Sequence, residues 1–64
     1  MHTDALEFKY IIRGKVEYLI DNEKYILNEG DTLFFDGSRG HTLSNIGNTD
    51  AIILVVYCFS VKTL

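Results

Sequence analysis

Three side chains in this 64-residue sequence have the donor chemistry to hold a divalent metal ion: His2, Glu7 and His41. Imidazole nitrogens and carboxylate oxygens are hard or borderline ligands, of the kind that iron, manganese, zinc or nickel accepts. Their spacing alone does not make a site. His41 stands in "GDTLFFDGSRGHTLSNIG", Gly30–Gly47. There an apolar strand enters a glycine-bearing loop and leaves into a second strand that carries Asn45. A histidine in that place is a metal ligand, a ligand-binding group, or a hydrogen-bonded packing residue. Lys9 adds a second chemistry. It lies two residues from Glu7 along a strand and therefore on the same face. Its ammonium can pair with that carboxylate or meet an anionic small ligand. No nucleophile–base pair is visible. Ser38, Ser44 and Ser60 have no histidine at a suggestive spacing, and the glycines form no phosphate cradle before a helix.

The elements that must position these groups read as strands. β-Branched and aromatic residues cluster between turn residues along the whole chain. The expected strands are Glu7–Arg13, Lys15–Ile20, Lys24–Leu27, Thr32–Phe35, His41–Asn45 and Ala51–Phe59. Gly14 stops the first, Asp21-Asn22-Glu23 is a hairpin turn, Asn28-Glu29-Gly30 a further turn, and Asp36–Gly40 a loop. No window shows convincing helical periodicity. The fold class is therefore all-β, an antiparallel barrel or sandwich of about six strands. Alternation puts Glu7, Lys9, Ile11 and Arg13 on one face of the first strand, and His41, Leu43 and Asn45 on one face of the fifth.

Composition narrows the class. With 47% hydrophobic residues the chain is well stocked for a folded core, and at 64 residues it forms one domain, 1–64. A net charge of −3 and the lack of a basic run argue against direct contact with nucleic acid. The apolar run Ala51–Phe59 is too short to span a bilayer as a helix, so no membrane is expected. The single cysteine, Cys58, can form no intrachain disulfide and suits a cytoplasmic, reducing setting. A domain this small needs a staple, which leaves a metal or a second subunit. The last strand is apolar on both faces and wants cover on both, so a homodimer is expected. Phe8, Tyr10, Phe34, Phe35, Tyr57 and Phe59 are assigned to the core and that interface, and Cys58 to packing.

On these residues the chain resembles a cupin domain. Cupins carry two motifs on adjoining strands of a small barrel. The first reads His-x-His, three or four residues, Glu, six residues, Gly. Here His2 falls at the second histidine, Glu7 at the glutamate and Gly14 at the glycine. The second reads Gly, five residues, Pro-x-Gly, two residues, His, three residues, Asn. Gly30, His41 and Asn45 fall on it, with Asp36 at the proline and Ser38 at the second glycine. Within the family, the stretch Gly14–Asn48 looks most like the C-terminal sensor cupin of helix-turn-helix transcriptional regulators, with Gly40 where a proline usually precedes the histidine.

The resemblance implies a jelly-roll barrel reduced at its N-terminus, because the family's first histidine would fall one place before Met1. It implies a small-molecule ligand in a barrel mouth lined by Glu7, Lys9, Ile11, His41, Leu43 and Asn45, in a regulatory or sensory role. It also implies an alternative, a dioxygenase- or isomerase-type enzyme whose divalent metal is held by His2, Glu7 and His41. A vestigial fragment that keeps the fold without activity is a third reading. It further implies a strand-swapped homodimer, in which a partner supplies the missing strand.

Overall fold

The computed structural model describes residues 5–59, and these form six strands with no helix among them. They are β1 (Leu6–Arg13), β2 (Val16–Ile20), β3 (Glu23–Leu27), β4 (Thr32–Asp36), β5 (His41–Asn45) and β6 (Ile52–Cys58). They build two antiparallel three-stranded sheets, ordered β4-β1-β6 and β3-β2-β5. No helix among the described residues is long and apolar enough to cross a membrane.

The first sheet is held by non-local pairing. β1 runs between β4, with Phe8 opposite Phe34, and β6, with Phe8 opposite Val56. The second is built on β2, with Tyr18 opposite Tyr25 on one side and Leu43 on the other. The β1–β6 register slips between Ile11 and Arg13, a bulge that bends the end of β1. The chain then crosses to the second sheet through Gly14. That glycine has φ +92°, and a Cβ there would lie 3.0 Å from Ala51 Cα and 3.1 Å from the Asp50 carbonyl oxygen. Only glycine fits both the backbone angle and the space.

The β2–β3 hairpin differs by one residue from expectation. Glu23 pairs with Ile20 as the first residue of β3, so the loop is only Asp21-Asn22. Asp21 takes φ +53°, a left-handed conformation that aspartate tolerates better than most residues. β4 likewise runs one residue further, to Asp36, which pairs with Leu6. Its carboxylate accepts the Ser38 backbone N–H at 3.0 Å, and that bond holds its pKa below the usual carboxylate value.

The core lies between the inward faces: Ile11, Val16, Tyr18, Ile20, Leu27 and Phe35, with Leu33, Ala51 and Ile53 packed against it. The outward face of the first sheet is apolar as well. Leu6, Tyr10, Ile12, Phe34, Ile52, Leu54 and Val56 are all exposed on it.

Candidate ligand-binding site

β1 turns Glu7, Lys9 and Ile11 inward, and β5 turns His41 inward from the opposing sheet. All four are buried, Glu7 to 1% exposure and His41 to 4%. Ionisable side chains seldom reach such depth without partners. Here they partner one another. Lys9 Nζ lies 2.6 Å from Glu7 Oε1, and His41 Nε2 lies 3.5 Å from Glu7 Oε2. Around the ammonium stand three rings, with centroids at 5.7 Å for Tyr57, 5.9 Å for Tyr18 and 6.0 Å for Phe35. That is cation–π range on three sides. Phe35 also meets the His41 ring edge-on, at 5.0 Å between centroids. Burial, with Glu7 and Tyr57 adding their negative potential, pushes the Tyr18 hydroxyl up to about 12.

The orientation of His41 carries chemical information. Nδ1 is 2.9 Å from the Arg39 carbonyl oxygen. A carbonyl only accepts, so Nδ1 carries the proton of that bond. In the neutral ring Nε2 then holds a lone pair. It is fully buried and has no hydrogen-bond partner among the described residues. The 3.5 Å approach to Glu7 Oε2 is not a hydrogen bond. With the ring neutral, the core contains an acceptor that lacks a donor, beside a carboxylate already paired with an ammonium.

Leu43 and Asn45 follow His41 on the same face of β5, and the structure places them differently. Both are exposed. They line a cleft of about 600 Å³ at the seam between β5 and β6, with Val16, Ala51 and Ile53 among its other walls. The Asn45 amide is occupied by the turn after β5, donating to the Thr49 carbonyl at 2.9 Å and accepting the Gly47 N–H at 3.0 Å. His41 lines a separate cleft of about 410 Å³, with Leu19, Asp21, Asn22, Gly40 and Thr42. β5 and β6 are edge strands of their sheets, which is why the seam is open.

His2 lies outside the described residues. No three His, Cys, Asp or Glu side chains among those described come together as a metal-binding group. The two donors that do converge, Glu7 and His41, share their space with a lysine ammonium. The described residues therefore do not fit a metal centre as they stand. The rings around Lys9 and the Arg39 carbonyl are the parts of the site that sequence reasoning did not assign. Alternation along the strands puts Tyr18, Phe35 and Tyr57 on inward faces, but which cation they surround depends on how the two sheets face each other.

The comparisons bear on identity. The family model described as Cupin domain matches residues 1–57. An uncharacterized protein of Methanocaldococcus jannaschii is 36% identical over 53 residues, which is 83% of this chain and 42% of that protein. The chain thus spans about half the length of this curated relative. No solved structure matches the chain. A family match that runs through all six strands, over two sheets that turn a glutamate and a histidine toward each other, leaves one assignment: the chain belongs to the cupin family.

Proposed function

We propose that this chain is a ligand-binding cupin module with a regulatory or sensory role, rather than a metalloenzyme. The observation that carries the reading is the buried Nε2 of His41, which has no hydrogen-bond partner among the described residues, in a residue that lines a cleft with Leu19, Asp21, Asn22, Gly40 and Thr42. An unsatisfied buried acceptor costs about 1–3 kcal/mol, so a ligand that donates to it recovers that cost on binding. The ligand class follows: a small molecule with a hydroxyl or N–H donor for Nε2 and an apolar part to lie against Leu19 in the same cleft. The volume of that cleft, about 410 Å³, lies within the usual range for small-molecule sites. Lys9 is neutralised by Glu7, which makes the site a weaker receptor for an anion than the lysine alone suggests.

Phenol and benzoate separate the two chemistries, because they share a ring and differ in donor against anion. Phenol is expected to shift the His41 ring resonances in nuclear magnetic resonance titrations of the full chain, and the shift of neighbouring signals is expected to vanish in His41→Ala. Benzoate binding in place of phenol would return the reading to an anionic ligand held by Lys9. Perturbation by neither would remove His41 as a binding group.

We also infer that a second copy of the chain covers the outward face of the β4-β1-β6 sheet. Its exposed side chains, Phe34 at 58% and Leu54 at 49% among them, offer on the order of 600 Å² of apolar surface per copy. A symmetric pair would bury about 1,200 Å², the lower end of stable interfaces. Single domains rarely leave so large an apolar patch uncovered.

A further inference from the structure

We propose that Lys9 is a built-in cation: its ammonium supplies at Glu7 the positive charge that a divalent metal would supply, and so closes the site to metal. A carboxylate oxygen and an imidazole lone pair face each other across 3.5 Å in the core. Two such donors are a pair that a borderline divalent ion accepts. The Nδ1–carbonyl bond fixes the tautomer that leaves Nε2 free to ligate, as the outer partners of ligating histidines do. What differs is the third member. The ammonium stands 2.6 Å from Glu7 Oε1, with three ring centroids at 5.7–6.0 Å. A metal bound there would face a fixed positive charge a few ångströms away, in surroundings that screen it poorly.

The inference does not rest on the phenol-class ligand, and its test reads metal rather than ligand. Lys9→Leu keeps much of the apolar stem and empties the place of the ammonium. Zinc chloride is titrated calorimetrically into the full chain and into K9L, with any purification tag removed. The expected result is one zinc per chain in K9L, at least tenfold tighter than in the unaltered chain, and lost again when His41→Ala is added. If K9L is unfolded without metal, circular dichroism with and without zinc becomes the readout, and folding on zinc is expected. Zinc binding to the unaltered chain as tight as to K9L would overturn the proposal. So would a folded K9L that takes no more zinc than its parent, or an unfolded K9L that zinc does not fold.

Discussion

Removing one member of the Glu7–Lys9 pair leaves the other as an uncompensated charge between the sheets. Single replacements, Glu7→Leu or Lys9→Met, are each expected to lower stability by about 3–5 kcal/mol. The double replacement is expected to recover most of that loss, because two apolar chains of similar volume need no pairing. Urea unfolding of the three variants checks this, and a double variant as unstable as the singles would refute it. Tyr18 gives a second residue-scale prediction. Its pKa rises from 10.0 in the unfolded chain to about 12 in the folded one. The associated stability is fully present below pH 10 and is lost as the pH climbs toward 12. Tyr18→Phe should flatten that alkaline loss, which ultraviolet titration alongside circular dichroism measures. Much of this site is legible in the sequence, since alternation alone puts Glu7, Lys9 and Ile11 on one face and His41 on another that can meet it. The orientation of His41 is not legible, because it is set by the backbone of the loop that ends at Gly40. Asn45 is more legible: an asparagine at a strand end before a Gly-Asn turn is expected to tie the strand to its loop through the side-chain amide, and it does.

Strands are where the sequence speaks most plainly. Six clusters of β-branched and aromatic residues become six strands, and the ends move by a residue where turn chemistry intervenes. Glu23 joins β3 because Asp21 accepts a left-handed backbone, which shortens the loop to two residues. Gly14 has a reason that sequence alone leaves unstated. It lets β1 leave its sheet while passing against Ala51. Gly14→Ala is therefore expected to cost at least about 1–2 kcal/mol from the backbone angle alone, with the close contact added to it. Thermal unfolding measures the loss, and a neutral substitution would show that the crossing is less tight than 3.0 Å implies.

At the scale of the whole molecule, β6 carries the proposal of a second copy. Its sequence is apolar on both faces, and in the structure both faces remain partly open: Leu54 and Val56 outward, Val55 and Tyr57 toward the seam. Which seam stays open could not be read beforehand, because β6 pairs with a strand at the opposite end of the chain. Light scattering after size exclusion is expected to give twice the chain mass. Leu54→Glu, which sets a carboxylate in the middle of the outward face beside Tyr10, is expected to give the single-chain mass with the circular dichroism spectrum unchanged. A parent that runs as a monomer would overturn the dimer.

The pairing of Leu6 with Cys58 has a kinetic side. The β2–β3 hairpin can close as soon as its few residues exist, but β1 must wait for β4 beyond that hairpin, and for β6 near the far end of the described residues. Loop closure over that distance comes before any hydrophobic gain, so folding of this chain should be slow for its size. During synthesis β1 stays an unpaired apolar segment until β4 and then β6 emerge. In that interval the chain is most exposed to mispairing with another copy of itself.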